Sequence, residues 1–345
     1  MSFKNVVGHH HFVKRISLAV AKGTLPQSLI LSGPSGVGKQ LVATSLAQVL
    51  NCLQPVRSGR QDSVCYDACG SCGSCQKIVR GVHPDVIFIS VQDDKSRIET
   101  DQVRQVIGQS KYRPFEGKKR VVVIIEADKL TFEAQNALLK SLEEPPDASQ
   151  FILVAETLDV LLATVRSRCQ CLAFGRLDLE ELCELLVRDH NQTYDDARAM
   201  ALLAEGSAGR ALSLGSKELV TTREASIDFL NSIANARDTR MRLESAENFV
   251  PAPSKVKKGM SFQRKELELR FQCLESFLRD MVLIRSSGDL NTLSNIDFRD
   301  QLMSLSNDFV VSRAVRGFSA VDEASKAIKS NANPKVVIAW LACQL

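Results

Sequence analysis

Apolar residues run without alternation at Leu29-Ile30-Leu31, Val86-Ile87-Phe88-Ile89, Val121-Val122-Val123-Ile124-Ile125 and Phe151-Ile152-Leu153-Val154. Unbroken runs of this length suit strands covered on both faces, which predicts a parallel sheet. Helical spacing separates them. Val42, Leu46, Val49 and Leu50 follow the first run, and Ala134, Ala137, Leu138, Ser141 and Leu142 precede the last, with Thr131 as N-cap and Pro145-Pro146 as the stop. Beyond about Arg176 the strand pattern ends. Leu179, Leu182, Cys183 and Leu186, then Ala197, Met200, Ala201 and Ala204, predict two short amphipathic helices ending near Gly206. From about Thr221 the pattern is helical to the end. It is broken by Pro251-Ala252-Pro253-Ser254 and Lys255-Val256-Lys257-Lys258, which read as a solvated loop. The expected organisation is an α/β domain over residues 1–175, a helical lid over 176–215 and an all-α domain over 216–345.

Composition narrows the class. Hydrophobic residues make up 44% of the 345 and charged residues 24%, and no apolar run approaches the roughly 18 residues of a membrane span. The 44 basic and 40 acidic residues leave +4, too little to argue nucleic-acid binding by charge alone. Met1-Ser2-Phe3-Lys4-Asn5 lacks the features of a secretory signal, so a cytoplasmic location is expected. In that compartment the ten cysteines are expected as core residues or metal ligands rather than disulfides.

The first strand leads into Gly33-Pro34-Ser35-Gly36-Val37-Gly38-Lys39, a strand-loop-helix context that fits a P-loop. Backbone N–H groups and the helix N-terminus would hold phosphate oxygens there, and Lys39 would neutralise them. Gly33, Gly36, Gly38, Lys39 and Gln40 are therefore candidate ligands of ATP or ADP. Gln40 departs from the motif, which wants a Ser or Thr hydroxyl on Mg²⁺. The strand ending near Asp128 departs as well. One register puts Ile125 at the metal-holding aspartate and Glu126 at the water-activating acid; a one-residue slip leaves Glu126 as the lone metal acid. Phosphoryl transfer depends on positioning and charge neutralisation, so nucleotide binding without hydrolysis is expected. Elsewhere, Cys69, Cys72 and Cys75 stand at two-residue intervals with glycines between, a spacing suited to a tetrahedral zinc.

Phe3 to Gly8 with Leu25-Pro26, the P-loop, Asn136-Ala137-Leu138-Leu139-Lys140-Ser141-Leu142-Glu143-Glu144-Pro145-Pro146 and Ser167-Arg168-Cys169 resemble bacterial DNA polymerase III clamp-loader subunits, the gamma/tau and delta prime proteins of the AAA+ class. The similarity runs through about the first 215 residues, and Asn331-Ala332-Asn333-Pro334 extends it thinly toward the end. The resemblance implies an AAA+ fold with a C-terminal collar domain. It makes Arg168 an arginine finger acting on a neighbouring subunit's ATP, and Arg210 of Gly206-Ser207-Ala208-Gly209-Arg210 a second phosphate sensor or a helix-capping arginine. At the first sensor position, where a small polar residue belongs, the chain has Ala155 and then Glu156, and a one-residue shift of register brings Thr157 closer. It also implies a fourth zinc ligand at Cys52, with Cys65 as the alternative, in an insertion over about residues 52–75; four thiolates would close the shell and make the zinc structural. Cys169, Cys171, Cys183, Cys273 and Cys343 are expected as buried packing residues. The implied partners are gamma/tau and delta subunits, with the sliding clamp and primer-template DNA met through the assembly. Two rivals stand beside this reading: an ATP-hydrolysing gamma-like subunit, and a zinc-dependent nucleic-acid-binding module whose own DNA affinity would be salt-dependent.

Overall fold

The computed structural model describes residues 2–58, 65–92, 95–110, 112–213, 216–251, 259–286, 293–330 and 332–345; the basic segment Lys255-Val256-Lys257-Lys258 lies outside them. The described strands are β1 (Ser28–Ser32), β2 (Val56–Ser58), β3 (Cys65–Asp67), β4 (Val86–Ile89), β5 (Arg120–Ile124), β6 (Ser149–Ala155) and β7 (Gln170–Ala173). Five of them form one parallel sheet in the order β4-β5-β6-β1-β7, and β2 and β3 pair as a separate antiparallel hairpin. As far as residue 213 the helices are α1 (His10–Lys22), α2 (Lys39–Asn51), α3 (Gly73–Val79), α4 (Thr100–Ser110), α5 (Phe132–Glu143), α6 (Ala163–Arg166), α7 (Leu179–His190), α8 (Tyr194–Leu203) and α9 (Ala208–Ser213).

Alternate strand residues go to opposite layers. Leu29, Leu31, Val121 and Val123 join Val42 and Leu46 of α2 in one core; Ile30, Val122 and Ile124 join Val103 of α4 and Leu138 and Leu142 of α5 in the other. Both faces of the sheet are thus dry, which is why its central strands show unbroken apolar runs. This is an α/β fold built on one parallel sheet, as the sequence pattern predicts, and an all-helical region follows it. Thr131 caps α5 by accepting from the Ala134 amide, and the helix stops ahead of Pro145-Pro146, as the pattern predicts.

The chain divides into two compact units, Met1–Leu185 with Gly206–Arg210, and Leu186–Glu205 with Ala211–Leu345. The helices found between residues 176 and 215 are shared between them. In the second unit, α10 (Ser216–Asn235), α11 (Thr239–Phe249), α12 (Gly259–Arg285), α13 (Arg299–Asp308), α14 (Val311–Lys329) and α15 (Pro334–Gln344) pack around Phe271, Phe277 and Phe309. Asn333 caps α15 and Pro334 occupies its first turn, where a missing N–H is tolerated. Cys183 and Cys273 are buried as expected, but Cys169 is half-buried and Cys171 and Cys343 are exposed. Cys171 sits on the edge strand β7, where only Leu172 is buried, and Cys343 lies in the last turn of the last helix.

One polar device fixes the approach to β5. The Asp85 carboxylate, wholly buried, accepts the backbone N–H groups of Phe115, Glu116 and Gly117 and pairs with Arg120 at 2.8 Å. Asn51 Oδ1 takes the next two amides, those of Lys118 and Lys119. Burial alone would raise the Asp85 pKa, but these donors outweigh it and hold it at about 2. Removing one partner of a buried pair strands the other, so Asp85→Ala is expected to lower unfolding stability by about 3–5 kcal/mol in urea titrations. A carboxylate with a depressed pKa stabilises above its ordinary range, so the advantage over the variant persists above about pH 4 and vanishes as pH falls toward 2.

Candidate functional site

Three loops leave the carboxyl ends of the adjacent strands β5, β6 and β1, the edge where open parallel sheets bind ligands. They carry Ile125 to Asp128, Ala155 with Glu156, and Gly33 to Lys39. In the last of these every carbonyl from residue 33 to 37 is engaged. Lys39 Nζ donates to Gly33 O at 2.6 Å and Pro34 O at 2.5 Å, Ser207 Oγ to Ser35 O at 2.9 Å, and the Gly209 amide to Gly36 O at 2.8 Å, while His9 Nε2 lies 3.2 Å from Val37 O. Among the described residues the amides of Ser35 to Lys39 have no hydrogen-bond acceptor. A run of free N–H groups opening a helix is an anion cradle, and Gly36, at φ 73°, and Gly38, at φ 98°, supply the left-handed turns it requires. A Cβ at Gly36 would meet Ser207 Oγ at 2.2 Å, so the segment that carries Arg210 closes directly on the loop. Arg210 itself lies in α9, and its amide donates to Ser207 Oγ at 3.2 Å.

At the positions where magnesium ligands are expected, Gln40 is exposed on the first turn of α2, and Ile125 packs against the apolar core. Glu126 adopts a left-handed backbone at φ 57°, and its carboxylate is taken by Lys129 at 2.5 Å. The acids that act on Lys39 are instead Glu156 and Asp128, joined by a 3.0 Å bond from the Glu156 amide to Asp128 Oδ1. Burial lowers the Lys39 pKa, and these two charges oppose it. Neither acid was singled out from sequence as a partner of Lys39, because the turns after β5 and β6 decide which side chains face it.

Arg168 stands between α6 and β7, away from these contacts. Its Nη1 donates to Thr164 O at 3.1 Å, and its Nη2 lies 3.2 Å from Glu143 Oε1 on α5.

The cysteines converge. The Sγ atoms of Cys52, Cys69, Cys72 and Cys75 all lie within 4.8 Å of one another, with Cys52–Cys69 at 3.5 Å and Cys52–Cys72 at 4.0 Å. Four thiolates about 2.3 Å from one tetrahedral ion stand about 3.8 Å apart, so the set fits a metal. Cys52 ends α2, Cys72 caps α3 and Cys75 lies within it; Cys65 instead sits in β3 opposite Ser58. The Cys72 amide, bonded to Cys69 Sγ at 3.4 Å, brings the Cys69 thiol down to about 6, whereas burial pushes those of Cys52 and Cys75 up. Gln48 and Ser74 brace the cluster by donating to Cys75 O and Asn51 O.

A family model described as "DNA polymerase III, delta subunit" matches residues 8–178. The DNA polymerase III subunit delta' of Pseudomonas aeruginosa is 30% identical over 228 residues, 65% of this chain and 66% of that one. The chain belongs to the DNA polymerase III clamp-loader family. Within that family, subunit tau of Escherichia coli is 30% identical over 73% of this chain but only 38% of its own length, and subunit gamma of Buchnera aphidicola from Acyrthosiphon pisum is 31% identical over 61% and 57%. The matches thus span about two fifths to three fifths of these two relatives. A solved structure of a gamma subunit-related protein from Thermotoga maritima aligns over 95% of this chain and 97% of that one, at 15% identity and a TM-score of 0.39. Among the described residues of this clamp-loader-family chain, no helix is long and apolar enough to cross a membrane.

Proposed function

We propose that the chain works as the delta prime-like member of a DNA polymerase III clamp loader, in complex with gamma/tau and delta subunits. It keeps a cradle for ATP or ADP, hydrolyses neither at a useful rate, and lends Arg168 to the ATP of an adjacent subunit during loading of the sliding clamp onto primer-template DNA. The observation that carries this is the pairing of a nest of free amides with side chains unsuited to hold magnesium: Gln40 exposed, Ile125 packed against the core, Glu126 bound to Lys129. In the Cys52, Cys69, Cys72 and Cys75 cluster we assign a structural zinc, since four thiolates leave no open coordination position. The helical region 216–345 would serve as the collar that joins the subunits, and Arg210, on the segment touching the P-loop, as a phosphate sensor.

A second reading, a hydrolysing gamma-like subunit, draws support from the equal identity to tau and from the two acids acting on Lys39. Magnesium separates the two. With its hydroxyl and aspartate ligands gone, the cradle is expected to bind ADP with less than about a threefold change between Mg²⁺ and EDTA, read by isothermal titration. A tenfold or greater gain with Mg²⁺ that is lost in Glu156→Gln would favour the second reading.

A further inference from the structure

We infer that Glu143 is a positioning residue for Arg168, holding the finger's guanidinium at one orientation before a neighbour arrives; this rests on the finger role proposed above. The finger segment is pinned to α5 at two points. At its start, Gln135 Nε2 donates to Val160 O at 3.3 Å and Gln135 Oε1 accepts the Leu162 amide at 2.8 Å. At its end, Glu143 meets Arg168. Residues 135 and 143 are eight apart, about 12 Å along the helix axis, so α5 acts as a bar clamped along the whole of α6.

The clamp at Glu143 fixes the head group and not just the chain. Arg168 Nη1 is held by the Thr164 carbonyl and Nη2 by the Glu143 carboxylate, and Nε is buried without an acceptor. An orientation that leaves a donor unsatisfied persists only where other contacts enforce it. Those contacts come from the chain's own short helix and from an acid at the C-terminal end of α5, where the helix dipole disfavours a carboxylate unless a cation sits beside it. Two contacts leave further Nη hydrogens for an incoming phosphate. An arginine with most of its rotamer freedom already spent loses less on engaging a transition state. Glu143 is itself exposed, so it acts through Arg168 and touches no reacting atom.

The test is the reconstituted complex, with ATP turnover read at the site next to this chain. Glu143→Ala is expected to lower kcat about 2- to 5-fold with KM unchanged, the range for losing one exposed ion pair. Glu143→Asp is expected to recover part of the loss. The deficit of Glu143→Ala should shrink between 50 and 500 mM salt, because the pair it removes is screened. In an Arg168→Ala background Glu143→Ala is expected to change nothing further, a coupling that a purely structural role would not produce. Equal or faster turnover in Glu143→Ala, with Arg168→Ala still crippling, overturns the positioning role alone; faster turnover would mean that Glu143 restrains the finger. Unchanged turnover in Arg168→Ala overturns both this inference and the finger assignment. A thermal melt of each variant checks that it is folded.

Discussion

Arg168→Ala is expected to slow ATP turnover at the neighbouring subunit by at least about 10³-fold in kcat while leaving its KM for ATP nearly unchanged. The asymmetry follows from what a finger does. A guanidinium approaching from outside the binding subunit compensates the charge that spreads over the transferring phosphoryl group, and it adds little to ground-state binding. A factor of 10³ corresponds to about 4 kcal/mol, far more than the exposed contacts Arg168 makes within its own chain are worth. Loss of those contacts is expected to move stability by less than about 1 kcal/mol, so a folded, assembly-competent variant can be assayed. Arg168→Lys separates charge from shape: it keeps the cation and loses the planar fork, and it is expected to stay severely impaired. Steady-state rates of the reconstituted complex, with only the adjacent site competent, give the answer.

Stripping zinc with a chelator, or Cys72→Ser, is expected to unravel the segment from Cys52 to Val79 before the rest of the domain unfolds. Small zinc modules draw about 10–16 kcal/mol of apparent folding free energy from the ion, and among the described residues the buried apolar ones of this segment, Cys52, Ala68, Cys75 and Ile78, are few. Its other ties run to the N-terminal segment, to α1, to α2 and to the approach to β5: Asp67 accepts the Phe3 amide, Ser17 donates to Tyr66 O, Gln48 to Cys75 O, Lys118 to Cys52 O, and Lys77 pairs with Glu116. Protease cleavage within the segment after chelation, restored to resistance by zinc, is the readout, with about one zinc per chain before treatment. Protons compete with the ion for thiolates, and burial pushes Cys52 and Cys75 toward the protonated form; bound zinc is therefore expected to stay at neutral pH and to leave as pH falls. A chain that is purified without zinc and is equally resistant to protease would remove the assignment.

What sequence made legible and what it hid have physical causes. The central strands were plain because both of their faces are dry, and the P-loop because left-handed turns and close backbone approach demand glycine there. The cysteine triplet was plain by spacing, but the choice between Cys52 and Cys65 was not. It depends on α2 ending at Asn51, which sets Cys52 against the cluster, and on Cys65 lying in a hairpin strand that no apolar pattern announced. β7 is silent in the sequence for a related reason: of its four residues only Leu172 is buried, so its pattern carries almost no signal. Asp85 and Asn51 give no sign of their role in the sequence, since a buried acid and amide make sense only beside the amides of residues 115 to 119, which lie far along the chain. Ile125 was read as the last residue of its strand; the strand ends at Ile124, and the turn that follows swings Glu126 onto Lys129 and leaves Asp128 bonded to the Glu156 amide.

Single-turnover hydrolysis of labelled ATP by the purified chain, with Mg²⁺ and protein in excess over nucleotide, is expected to leave bound ATP intact over hours, with the bound fraction lost in Lys39→Ala. Conversion to ADP within seconds to minutes, abolished by Lys39→Ala or by Glu156→Gln, would mean that the cradle hydrolyses the nucleotide it binds despite Gln40 and Ile125.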